Sequence, residues 1–262
     1  MIFIWGKKLV LGKLGYVADF CPICRDVQAC ELVQVRKVSH FYYIPLGSGE
    51  ALGHQTRCRA CQTTLWVKGE DFASVSQDGG APLPALYATL GPQAAQAAQD
   101  RKKLEVRVLA GGLSPEERTL LIEEPFSILD ARLENRGAAT KLDRKSGMVL
   151  GGTFAAVIVL GSAISRVPEA VADAMGWLLI LAIIGGLGAT VYFVATDVRR
   201  YYAGEIEPLL AKTLAPLAPT KDELERVKAK MTQLGKAMGK RLDPLRLLTR
   251  IAALRGGAAV TV

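Results

Sequence analysis

Hydrophobic and polar positions follow three distinct patterns along this chain. Two long runs carry no charge: residues 147–165, GMVLGGTFAAVIVLGSAIS, and residues 174–196, AMGWLLILAIIGGLGATVYFVAT. As helices they would reach about 28 and 34 Å, enough to cross a hydrocarbon core of ~30 Å. Buried helices of a water-soluble core are rarely free of charge over such lengths. The chain is therefore expected to cross a membrane twice, with RVPEAVAD as the connecting loop.

Upstream, the pattern is that of strands. MIFIW reads as a short buried strand ended by Gly6. ELVQVRKVSHFYYIPL is rich in β-branched and aromatic residues, GSGE offers a turn, and ALGHQTR leads back, which together predict a β-hairpin. SVSQDGGAPLP then reads as a linker.

The remaining segments carry helical spacing. PQAAQAAQDRKKLEVRVLA is a good helix former, and Ser114, Pro115 and Glu117 mark the start of a second helix with a capping box. Pro125 is expected to break or kink that helix, and the adjacent Glu123 and Glu124 read as a solvated face. Past the second apolar run, Thr220 and Glu223 form another capping box. Leu224, Val227, Met231, Leu234 and Met238 then make a narrow apolar seam. Pro244 interrupts it, and Leu245, Leu247, Leu248, Ile251 and Leu254 continue it among several arginines.

Composition sharpens this picture. Hydrophobic residues make up 50% and charged residues 22% of the 262 positions, with a mean hydropathy of +0.22. The net charge of +8 is divided as +5 over residues 1–68, −4 over 69–197 and +7 over 198–262. Arg132, Arg136, Lys141, Arg144 and Lys145 precede the first apolar run, and Arg199 and Arg200 follow the second. The loop between has Arg166 opposed by Glu169 and Asp173. The positive-inside rule then places both termini in the cytoplasm. The opening MIFIWGKKLVLGKLGY lacks a positive lead and a small-residue cleavage pattern, so it makes a poor signal peptide. The thiols are accordingly expected to face a reducing compartment. Neither apolar run holds an ionisable residue, which argues against a proton relay or ion path.

The chemistry lies in the cysteines. Cys21-Pro-Ile-Cys24 and Cys58-Arg-Ala-Cys61 are two C-x₂-C turns. Such turns can supply the four-thiolate shell preferred by structural Zn²⁺, and the predicted hairpin would bring them together. A thioredoxin-like site wants one such pair at the start of a helix. Cys30 is then a spare thiol, read as a small buried hydrophobe, while His40 and His54 read as polar strand residues. Arg25, Arg57 and Arg59 flank the turns, either as second-sphere donors to the thiolates or as solvated side chains.

MIFIWG, CPIC, FYYIPLG and CRAC together resemble a bacterial zinc-ribbon family whose members open with a short apolar strand and carry two cysteine pairs about a hairpin. The resemblance covers roughly residues 1–66 and implies zinc at Cys21, Cys24, Cys58 and Cys61. One departure is that such knuckles often have glycine after the second cysteine, where Arg25 and Gln62 stand here.

The expected fold class is a multi-domain membrane protein: a small β zinc ribbon, then an all-α region with a two-helix transmembrane hairpin and C-terminal amphipathic helices. Its segments are the ribbon at 1–68, a linker at 69–81, a cytoplasmic helical region at 82–146, the hairpin at 147–197, basic amphipathic helices at 198–255, and a disordered tail at 256–262. The leading function is a membrane-anchored binding or scaffold module in the bacterial inner membrane, not an enzyme, with structural Zn²⁺ as its cofactor. Membrane lipid and a protein partner or second copy are its expected partners; no small-molecule substrate is evident. A nucleic-acid-binding ribbon, with Phe41, Tyr42 and Tyr43 as stacking groups, is the second reading. A membrane thiol oxidoreductase using one C-x-x-C is the third.

Overall fold

The structure, a computed structural model, describes residues 5–41, 44–138, 144–164 and 168–258. Residues 1–4 of the expected opening strand, Tyr42, Tyr43, Lys141, Arg166 and the last four residues lie outside these ranges. The chain forms two compact units, Met1–Asp130 with Pro208–Val262, and Ala131–Glu207. The second is thus inserted in sequence within the first, and the C-terminal helices belong with the N-terminal sheet.

The first unit begins with an antiparallel four-stranded sheet in the order β1 (Trp5–Cys21), β2 (Asp26–Phe41), β3 (Ile44–Cys58), β4 (Thr64–Val67). Two sequence expectations are corrected here. Gly6 does not end the first strand; it pairs with His40, and β1 runs on to the first cysteine. GSGE is not the hairpin turn, because Phe41 already pairs with Ile44 upstream of it. Gly47 (φ 76°) and Gly49 (φ 70°) instead lie within β3 as left-handed residues, near a register shift between Lys37 and Ser39. Glycines with positive φ serve a bulge as well as a turn.

Helices α1 (Leu83–Tyr87) and α2 (Pro92–Ala110) help build a core of Ala18, Val27, Leu86, Leu90 and Ala98, flanked by Phe20 and Phe72. The segment read as a linker is fastened to the sheet. Tyr16 and Ser76 exchange backbone hydrogen bonds of 2.7 and 2.9 Å, and the Gln77 amide donates to the Leu14 carbonyl at 2.9 Å.

Helix α3 (Pro115–Ala138) opens with the expected capping box: Glu117 N–H donates to Ser114 Oγ at 3.2 Å, and Ser114 N–H to the Glu117 carboxylate at 3.0 Å. Pro125 does not break it. The neighbouring Ile122, Phe126 and Leu129 are buried. At ~1.5–3 kcal/mol each, their burial outweighs the ~3 kcal/mol that proline costs a helix. Glu123 and Glu124 are not a solvated face either; they pair with Lys230 and Arg101.

Helix α6 (Glu207–Leu214) is followed by α7 (Lys221–Gln233) and α8 (Pro244–Ala258). Leu224, Val227, Met231 and Met238 are buried as the seam predicts, but Leu234 is exposed because α7 ends there and Gly235 turns left-handed at φ 69°. In α8, Leu247 and Ile251 face inward, while Leu245 and Leu254 are exposed. Gly256 to Ala258 continue α8 rather than starting a tail.

A bidentate ion pair joins α3 to α7: Arg118 donates to the two Glu223 oxygens at 2.6 and 3.0 Å, and Thr220 N–H donates to the same carboxylate at 2.7 Å. The Arg118 guanidinium chiefly holds the Glu223 carboxyl down at about 2, against an ordinary 4.5. A carboxylate more acidic in the folded state stabilises above its unfolded pKa and loses that contribution as pH falls toward its folded value. Glu223→Gln is therefore expected to cost about 1–2 kcal/mol at neutral pH after allowance for solvent screening. The difference from wild type should vanish between pH 4.5 and about 2. Urea titrations at pH 7 and pH 2.5 check this; equal stabilities at pH 7 would refute it.

The second unit holds the end of α3, α4 (Arg144–Ile164), α5 (Glu169–Tyr201) and a π-helical turn, Tyr202–Ile206. Helices α4 and α5 pack side by side. Gly186 meets the Thr153 side chain, whereas Gly151, Gly152 and Gly185 face open space. Among the described residues one helix is long and apolar enough to cross a membrane; its run starts at Met175, and its eighteen-residue window has mean hydropathy 2.3 with 0% buried. The first expected span is shorter, with an apolar part of Gly147–Ala163, about 26 Å of helix. Two basic flank residues are tied down: Arg136 donates to both Asp197 oxygens at 2.7 and 2.9 Å, and Arg132 to the Tyr201 hydroxyl at 2.6 Å.

Candidate metal centre

Cys21 ends β1 and Cys58 ends β3, and Cys24 and Cys61 lie in the turns just beyond. The two turns have the same construction. Arg25 N–H donates to the Cys21 carbonyl at 2.7 Å, and Gln62 N–H to the Cys58 carbonyl at 2.9 Å. Both closing residues are left-handed, Arg25 at φ 59° and Gln62 at φ 60°. This conformation costs a non-glycine residue about 1–2 kcal/mol, and here each side chain is fixed in place. Arg25 pairs with Glu105 of α2 and donates to the Thr213 carbonyl of α6 at 3.2 Å. The Gln62 amide donates to the Arg59 carbonyl at 2.9 Å. The missing glycines therefore leave the knuckle geometry intact.

The four sulfurs lie within 4.8 Å of one another. Cys21 Sγ and Cys61 Sγ are 3.5 Å apart, and Cys24 Sγ and Cys58 Sγ 3.7 Å. A tetrahedral thiolate shell with metal–sulfur bonds of ~2.3 Å has edges of about 3.8 Å. The sulfurs thus already occupy close to the corners that a metal ion requires. Cys21, Cys58 and Cys61 are buried and Cys24 is half-buried.

The thiols share their protons. Hydrogen bonding with Cys24 pushes the Cys21 thiol up, while bonds from Cys21 and then Cys24 pull Cys61 down to about 6. Cys58 is pulled down as well, chiefly by Cys21. A divalent cation would take the place of the shared protons, so metal binding releases acid and weakens as pH falls.

The other sequence candidates separate from this group. Cys30 is buried, lies opposite Cys58 in the sheet, and is pushed up by a hydrogen bond to it. His54 pairs with Gln34 and Val67 in the sheet and packs beneath Gly69, apart from the sulfur cluster. His40 lies on β2 opposite Gly6 and Pro45. Two of the flanking arginines, Arg25 and Arg59, are structural ties, and the third is solvated. Arg25 locks the first knuckle to two helices, Arg59 bonds the Gly79 carbonyl and covers the Tyr16 ring at 5.4 Å, and Arg57 is exposed.

Two supports escape a reading of the sequence. Thr213 Oγ1 donates to the Ile23 carbonyl inside the first knuckle at 2.7 Å, from 190 residues away. Thr56 Oγ1 donates to Asp19 at 2.7 Å beside the cluster, and burial pushes the Asp19 carboxyl up. Neither carries a local signal, because each depends on how α6 and β3 pack. The chain matches no family model, no curated protein and no solved structure, so its assignment as a candidate metal centre rests on the four sulfurs themselves.

Proposed function

We propose that this chain is a membrane-anchored zinc-ribbon protein that presents a structural metal module and its helices to the cytoplasm for binding or scaffolding. The observation that carries this reading is the four-sulfur group, assembled from two turns 34 to 40 positions apart at near-tetrahedral spacing. Four thiolates close a zinc shell and leave no position for a reactive water, so the metal organises structure rather than catalysing hydrolysis. The resemblance of its cysteine and strand motifs to those of bacterial zinc ribbons points the same way.

Membrane anchoring is supported by the second unit. Leu181, Ile184, Val191 and Phe154 are each more than 60% exposed on α4 and α5. A continuous apolar surface of this kind is unfavourable in water and satisfied by lipid. The basic residues at the far ends of the helix pair favour both termini on the cytoplasmic side. On the sheet, Leu9, Leu11 and Trp66 are exposed and offer apolar contacts to a protein partner.

Crosslinking and affinity capture from native membranes tests the role, comparing wild type with the Cys58→Ser, Cys61→Ser double variant. The expected result is a discrete protein captured by wild type and lost with the double variant. Identical captures by both would overturn the reading, and capture abolished by nuclease would favour the nucleic-acid alternative.

A further inference from the structure

Cys30 stands outside the four-sulfur shell but against it. It lies opposite Cys58 on the neighbouring strand. Arg59 N–H donates to the Ala29 carbonyl at 3.1 Å, so residues 29 and 59 form the hydrogen-bonded rung and Cys30 and Cys58 the non-bonded one. In agreement, Cys58 N–H points away from β2 and donates to the Thr63 carbonyl at 2.9 Å. Residues facing each other in a non-bonded rung have Cα atoms about 4.5 Å apart and side chains on one face. That separation lies within the ~4.4–6.8 Å spanned by disulfides. The register is continuous here, with its first β2–β3 shift only beyond Val35. Both thiols are buried, each 2% exposed.

We propose that Cys30 is the resolving thiol of a peroxide-sensitive metal centre, forming a disulfide with Cys58 that removes one ligand and releases the ion. This rests on the metal-centre reading above. The oxidant is a hydroperoxide. The Cys58 thiolate attacks one peroxide oxygen, the O–O bond breaks, Cys58 becomes a sulfenic acid, and hydroxide leaves. Cys30 sulfur then attacks Cys58 Sγ; the S–O bond breaks, and the departing hydroxide takes the Cys30 proton to form water. Two thiol sulfurs are oxidised, one peroxide is reduced, and the metal leaves as the divalent ion. Cys24 Sγ lies 3.7 Å from Cys58 Sγ, and Cys21 and Cys61 are also close, but in the loaded centre all three sulfurs are bound to the cation. Cys30 is the neighbouring thiol that can attack without first breaking a metal bond. A thiol reductant would restore Cys58 and with it the shell.

The test uses the purified full-length chain loaded with zinc and treated with stoichiometric hydrogen peroxide. Zinc release is followed with a chromogenic chelator and disulfides are mapped by non-reducing peptide mass spectrometry. In wild type, release should accompany a Cys30–Cys58 crosslinked peptide, and a thiol reductant should reverse both. Cys30→Ala, which spares all four ligands, should hold zinc normally and lose the rapid, reversible release. Equal release by wild type and Cys30→Ala, or disulfides joining only the four ligands, would overturn the proposal. A chain that takes up no zinc before oxidation would instead remove the metal-centre reading beneath it.

Discussion

Replacing Cys58 and Cys61 together by serine is expected to abolish zinc binding and unfold the metal end of the sheet. The wild-type chain should carry one zinc, and the double variant none. The size of the effect follows from the role of a structural zinc in folding. Structural sites of this type contribute on the order of 10–16 kcal/mol at neutral pH, whereas whole domains are stable by only about 5–15 kcal/mol. The sheet cannot absorb such a loss by repacking. Both knuckles consist of turns around sulfur, with Ile23 their main buried apolar side chain besides the cysteines. The damage should spread, because the first knuckle is tied to α2 through Arg25–Glu105 and to α6 through Thr213. Metal analysis together with thermal unfolding monitored by circular dichroism reads both consequences. A double variant that melts with wild type would show that the sulfurs hold nothing of structural value. Strong chelators should reproduce the loss, and acid should ease it by returning protons to the sulfurs.

The cysteine spacing was legible because a C-x₂-C turn is a local object whose geometry is set within four residues. Turns and long-range supports were less so. Gly47 and Gly49 satisfy the sequence rule for a turn as well as that for a bulge, and only the pairing of Phe41 with Ile44 decides between them. Pro125 breaks a helix in isolation, but here the burial of Phe126 and Leu129 prevails. The glutamates of α3 read as solvated because their partners lie on other helices, Arg101 on α2 and Lys230 on α7. The capping boxes at Ser114 and Thr220 were readable for the opposite reason, since every atom of each lies within four residues. In the second unit hydropathy located both apolar segments and already marked the first as the shorter, and the helices keep that order.

Introducing arginine at Leu181 and Ile184 separates a membrane helix from an unusual soluble one, and loss of membrane insertion is the expected outcome. Both side chains are 63% exposed, near the middle of α5, and one helical turn apart. If α5 were in water, arginine at such positions would be tolerated and would improve solubility. In a bilayer, each charge near the centre of a helix adds about 2.5–3.5 kcal/mol to the insertion free energy. The pair would therefore oppose insertion by about 5–7 kcal/mol. Wild type is expected to stay with membranes after alkaline carbonate extraction, and the double variant to be released or degraded. The same two arginines moved to Leu245 and Leu254, exposed positions of α8 in the first unit, should leave membrane association unchanged. If the α5 variant instead purified without detergent as a monodisperse, zinc-loaded protein, the exposed apolar face of this helix would need a protein rather than lipid to cover it.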